Sequence, residues 1–147
     1  MKSKGIWATL LASALTLTLL GSVTAAHWTS REFVAGNPSC ADGFKYENPL
    51  GGDVVDGTLD LPGAAYITID VTNTSAGPVF SFTASGFLVS QVTVKGGPNA
   101  YQYFYEPLTG ADSGLHSPTN PNNGKYYGLS HLCFYGEDKK APPDPKK

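Results

Sequence analysis

Cysteine, methionine and charge are all scarce in this chain. Two cysteines, Cys40 and Cys133, and one methionine occur among 147 residues, of which 15% are charged. Two cysteines so widely separated cannot supply the Cys-x-x-Cys spacing of a zinc or dithiol site, which excludes both chemistries from the thiols. Basic residues are fewer than acidic ones, ten against twelve. Of the basic ones, Lys2 and Lys4 stand at the N-terminus, and Lys139, Lys140, Lys146 and Lys147 crowd the C-terminal end. The body between is acidic and has no basic stripe for neutralising phosphates, which argues against a nucleic-acid partner. Past the first residues no window carries a helical apolar period, so a helical bundle is excluded as well.

What is present begins with an export signal. "MKSKGIWATLLASALTLTLLGSVTAA" sets two lysines before an apolar run and then small residues, the layout of a secretory signal peptide over residues 1–26. The run from Ile6 to Leu20 is short for a membrane anchor, which needs roughly 20 apolar residues. Cleavage after Ala25 and cleavage after Ala26 both fit. A mature chain of about 120 residues is one domain, expected over residues 27–136. The end, "EDKKAPPDPKK", is charged and proline-rich, has nothing to bury, and reads as a disordered tail over 137–147. It has no apolar stretch to act as an anchor. The expected location is secreted and extracellular, with periplasmic or cell-surface placement left open. In that oxidising setting a single Cys40–Cys133 disulfide is the economical reading.

Strand patterns fill the middle of the chain. "AYITIDVTNTS" alternates Ile67, Ile69 and Val71 with Thr68, Asp70 and Thr72, one face apolar and the other wet. "GPVFSFTASG", "GFLVSQVTVKGG" and "AYQYFYEP" follow between Gly/Pro-rich turns. The closing "YGLSHLCFYG" is apolar on both faces, as a strand packed on each side would be. Trp28 to Gly52 is less regular. Short strands with tight reversals and no helices between them predict an all-β, antiparallel β-sandwich, immunoglobulin-like or jelly-roll-related.

Three stretches, "VTVKGGPNAYQYFY", "DSGLHSPTNPNNGKYYG" and "LSHLCFY", carry a family resemblance. They are similar to a group of mostly uncharacterised secreted or cell-surface bacterial and archaeal proteins. That group shares a V-x-V-K-G-G turn, a tyrosine-bearing strand, an L-H-[SA]-P-x-N loop and a final S-H-x-x-F-C-Y-like strand. The likeness spans Val92 to Tyr135. In the family pattern the last cysteine follows the phenylalanine, whereas Cys133 here precedes Phe134; both positions share a strand face. The resemblance implies an extracellular β-domain and no catalytic activity.

Several residues invite a chemical role. Tyr101, Tyr103 and Tyr105 sit at alternate positions of one strand, where exposed rings could stack on sugars; buried, they would be ordinary core, with Phe104 under the long loop. Pro107 to Tyr126 reads as one long ordered loop, tightened by prolines and asparagines. His116 on it either bonds loop carbonyls or meets a ligand or metal. With Asn120 and Tyr126, it joins the tyrosines as the candidate ligand surface, which Tyr127 would extend. His131 reads as a core histidine with a satisfied hydrogen bond. Asp112, Ser113 and His116 lie too close together on one loop for a hydrolytic set, and Ser130 and His131, as strand neighbours, point apart. Asp53, Asp56 and Asp60 do not have EF-hand spacing and read as a solvated acidic turn. Asn73 opens an Asn-Thr-Ser glycosylation sequon. Cleavage after Ala26 would expose His27 as a mature N-terminus, and its amine and imidazole could then chelate copper with His116 as a second ligand. No cofactor and no resident metal are expected. The reading is a non-catalytic surface or matrix module whose partner is an extracellular glycan or a surface protein. Unpaired sheet edges leave self-association open.

Overall fold

The structure is a computed structural model that describes residues 27–140; residues 1–26, where the signal peptide is expected, and residues 141–147 of the expected tail lie outside it. The described residues form nine strands: β1 (Ser30–Ala35), β2 (Phe44–Tyr46), β3 (Gly57–Asp60), β4 (Tyr66–Thr74), β5 (Gly77–Ser85), β6 (Phe87–Gly96), β7 (Asn99–Thr109), β8 (Ala111–Leu115) and β9 (His131–Asp138). All pairings are antiparallel. One sheet has the order β1-β7-β6-β9-β2 and the other β3-β4-β5-β8. Their packed inner faces make the antiparallel sandwich that the strand patterns predict. Among the described residues no helix is long and apolar enough to cross a membrane.

The period-2 patterns set the inner faces. Ile67 and Ile69 of β4, Phe80 and Phe82 of β5, Val92 and Val94 of β6, and Leu132 and Phe134 of β9 all lie in the core, while Tyr66, Thr68 and Asp70, which alternate with the two isoleucines, are exposed. Phe82 packs edge-on against Phe134 at 5.4 Å and Tyr105 at 6.0 Å, joining the sheets at their middle. Each such buried side chain contributes roughly 1.5–3 kcal/mol through lost water contact.

Four strands differ from the sequence expectation. β1 and β2 occupy the stretch that looked irregular, because short strands completed by neighbours need little patterning of their own. β8 lies inside the supposed Pro107–Tyr126 loop: Leu115 opposite Phe80 and Asp112 opposite Phe82 both point inward, and a buried aspartate disguises the alternation. β9 continues through Glu137 and Asp138, which pair with Leu88 and Phe87. The domain thus passes the boundary expected at Gly136, since ladder hydrogen bonds come from the backbone whatever the side chain.

The second face of β9 is also covered. Cys133 pairs with Thr93 on the side away from the core, and its bond to Cys40 pins the segment between β1 and β2 onto that outer face. Tyr135 Oη donates to Ser39 O at 3.3 Å in the same place. The cysteines are 93 residues apart, so the bridge restricts the unfolded chain strongly. Replacing both cysteines with alanine is expected to lower unfolding free energy by about 4–5 kcal/mol in the loop-entropy view. Urea unfolding measures this; a loss below about 1 kcal/mol would mean that the other contacts of the segment already hold it.

Candidate functional site

β7 positions the candidate residues, and it divides the tyrosine strip. Tyr103 and Tyr105 are 0% and 4% exposed, so the expectation of an open three-ring strip is corrected: two of its rings are core. The physical reason is register, since β7 is flanked by β1 and β6 and its tyrosine face is turned toward the opposite sheet. Each hydroxyl then needs a partner there. Tyr103 Oη donates to His116 O at 2.7 Å and accepts from His116 N at 3.1 Å. Tyr105 Oη donates to Asp112 Oδ2 at 2.7 Å, and Asp112 Oδ1 accepts from Ser113 N at 2.7 Å. Burial, reinforced by the Asp112 carboxylate, holds the Tyr105 phenol protonated far above its ordinary range. Burial also raises Tyr103, against the bond it shares with the His116 backbone.

Tyr101 is half-buried and belongs to a different group. Beyond the cover of the smaller sheet, the inner face of β1 presents Arg31 and Phe33, opposite Tyr103 and Tyr101. The Arg31 guanidinium sits 4.0 Å from the centre of the Tyr101 ring and 5.5 Å from Trp28, within cation–π range. Phe33, 58% exposed, meets Tyr101 edge-on at 6.3 Å. His116 lies 5.9 Å from Tyr101 and stacks flat on Tyr126 at 3.7 Å. Trp28, Arg31, Phe33, Tyr101, His116 and Tyr126 thus form a continuous aromatic and cationic ledge along β1.

Sequence reasoning brought Tyr101, His116 and Tyr126 to this surface and missed Trp28, Arg31 and Phe33. The available signal was Phe33-Val34 beside Arg31-Glu32, ahead of the Gly36-Asn37-Pro38 turn. Asn120 is a turn residue: its Oδ1 accepts from Asn122 N at 2.9 Å and its N donates to Lys125 O at 2.7 Å. The ring of His116 bonds a loop carbonyl as the plainer expectation has it, Nδ1 donating to Ser117 O at 2.9 Å. That bond places the proton on Nδ1.

The loop is held from several sides. Ser117 Oγ donates to Tyr127 O at 2.6 Å, and Tyr126 N to Ala76 O at 2.7 Å. Gly77, at φ +118°, lets the chain pass so close to Tyr126 that an added Cβ would lie 2.8 Å from its carbonyl oxygen. The V-K-G-G turn abuts the same loop, Gly96 against Ser117 and Gly97 against the Tyr127 ring.

Other candidates are placed elsewhere. Phe104 lines an open groove of about 580 Å³ with Thr29, Ser30 and Pro107, not the underside of the long loop. The groove exists because β7 bulges between Phe104 and Thr109 against β6. His131 is buried on the outer face beside Lys95, outside the core cluster, and no ring hydrogen bond is formed there among the described residues. Asp56 Oδ1 accepts from Val71 N at 2.6 Å, and it shares a small depression with Asp53 and Asn73. Among the described residues no three His, Cys, Asp or Glu side chains gather as a metal site. The His27 ring lies 4.7 Å from that of Trp28.

Burial holds the His116 imidazole below its ordinary value, and Arg31 pushes the same way against the Ser117 carbonyl. His131 is lowered first by burial, then by Lys45 and Lys95. In the unfolded chain both protonate near pH 6.5, so their contribution to stability is complete above about pH 6.5 and is lost as pH falls toward the depressed folded values. Melting temperatures at pH 7.5 and 5.0 are expected to show this loss, and His116→Gln to make it smaller. An unchanged slope in that variant would assign the loss to other groups. Independently, Gly77→Ala is expected to cost about 1–3 kcal/mol through its forced positive φ and its collision with Tyr126, as read by urea unfolding.

No protein-family model matches the chain, nor does any curated protein or solved structure.

Proposed function

We propose that the chain is an exported, non-catalytic interaction module and that the ledge along β1 is its contact surface. One observation carries this: Phe33 stands 58% exposed in line with an arginine and four further aromatic rings on the free margin of the larger sheet. A large apolar ring left in water beside Trp, Tyr and Arg has the composition of an interface centre. The disulfide and the export-like leader support an extracellular setting, and the family resemblance described above points the same way.

The sugar-stacking alternative loses its platform, because two of its three rings are buried and Arg31 covers a face of the third. Surface protein is therefore preferred over glycan as the partner class. Hydrolysis gains no support either: the Asp112 carboxylate is engaged by Tyr105, and His116 Nδ1 by Ser117. Copper chelation by His27 depends on a mature chain that begins there, which intact mass of the secreted protein decides.

The test presents the purified, oxidised chain and an Arg31→Ala/Phe33→Ala double variant to arrayed extracellular proteins and glycans. Binding to a protein that weakens at least tenfold in the double variant, at unchanged melting temperature, is the expected outcome. Equal binding by both chains would place the contact surface elsewhere.

A further inference from the structure

β1 is an end strand of its sheet, so one side of its backbone has no ladder partner among the described residues. It is also the longest of the four end strands, with six residues against three, four and five for β2, β3 and β8. An unpaired edge is a template for an added strand, with main-chain bonds giving affinity and alternate side chains giving selectivity. Two features make this edge selective. Arg31 has no carboxylate partner, since the ion pair formed among the described residues is Lys45–Glu47. Its neighbour Glu32, on the opposite face, is exposed and likewise unpaired.

Resting on the reading of the ledge as contact surface, we infer that β1 takes an extended segment of another protein as a sixth, antiparallel strand. Its recognition element is an apolar residue, then a basic one, then an acidic one. Directly opposed residues in an antiparallel pair share a face and interact most strongly. A strand running against β1 therefore lays its apolar side chain on Phe33, its basic side chain against Glu32 on the outer face, and its carboxylate against Arg31 beside the Tyr101 ring. Antiparallel addition continues the pairing of the whole sheet and is the more stable mode per residue.

A second copy of this chain does not satisfy the edge. With faces kept continuous, one homotypic register sets Arg31 against Arg31, and the next sets Glu32 against Glu32. A third sets Phe33 against Phe33 and leaves Arg31 opposite Ala35 and Glu32 opposite Val34, both charges unanswered. Like charges directly opposed are destabilising, which disfavours the first two registers, and the third answers neither charge, so the adjacent Arg31 and Glu32 favour a partner of the complementary order over self-pairing. The sequence itself has no apolar-basic-acidic triplet in its strands.

The test uses an array of eight-residue peptides, varied at three central positions, against the purified oxidised chain. Enrichment of apolar-basic-acidic order is expected, with affinity lost at least tenfold in Arg31→Glu and regained there when the peptide's acidic residue becomes lysine. N-methylation of the bound peptide at alternate amides should abolish binding in one parity and spare it in the other, a readout of ladder formation that side-chain docking alone would not give. Tolerance of methylation in both parities, or enrichment of the reversed order, overturns the inference. So does a concentration-dependent dimer in sedimentation that Glu32→Arg alters. If no peptide binds but an arrayed protein or glycan does so through Arg31 and Phe33, strand addition falls and the contact surface stands; if neither binds, both fall.

Discussion

The hydroxyls of Tyr103 and Tyr105 are the constraint from which the rest of this molecule follows. Both rings are buried between the sheets, where an unanswered hydroxyl costs roughly 1–3 kcal/mol, and each finds its partner across the interface. Tyr105 thereby brings Asp112 inside and lets an otherwise polar stretch run as β8. Tyr103 grips both backbone groups of His116 and fixes where the chain leaves β8. From that point the loop returns past Ser117 to Tyr126 and Tyr127, closing against the V-K-G-G turn. The ledge is assembled at this closure, because Tyr101 lies on the same strand face as the two buried tyrosines but beyond the reach of the smaller sheet.

Much of the sandwich was legible in the sequence, and the reason is periodicity. Ile67 and Ile69, and Phe80 and Phe82, alternate with exposed or partly exposed neighbours, as a strand on a wet sheet does, and Val92 and Val94 alternate with the polar Gln91, Thr93 and Lys95, although Thr93 and Lys95 are themselves buried. The Cys40–Cys133 pairing followed from count and compartment. β8 was hidden because its inward positions include an aspartate, and no local pattern announces that a tyrosine from another strand will satisfy it. β1 was hidden because its inward positions, Arg31, Phe33 and Ala35, all stay exposed, so its residues do not sort by polarity. Strand order was equally out of reach, since three of the four neighbouring pairs in the larger sheet, β1 with β7, β6 with β9 and β9 with β2, are distant in sequence.

The same distinction explains the candidate site. Tyr101, Tyr103 and Tyr105 look equivalent along the chain, yet their environments diverge with distance from the sandwich interior: one lies under a guanidinium, one grips a backbone turn and one shares a proton-donor bond with a carboxylate. Alternation identifies a common face. It does not say where along that face the second sheet stops, and the boundary between core and recognition surface is set there.

The grip on the loop has a consequence for how the surface can vary. Tyr103 holds His116 by its amide and carbonyl, and Tyr126 and Tyr127 are tied through main-chain bonds to Ala76 and Pro118. None of these bonds depends on the identity of the side chain at 116 or 126. The scaffold and its displayed groups are thus specified by different atoms, and descendants of this sequence could exchange the rings at those two positions, and with them the preferred partner, while inheriting the same loop path unchanged.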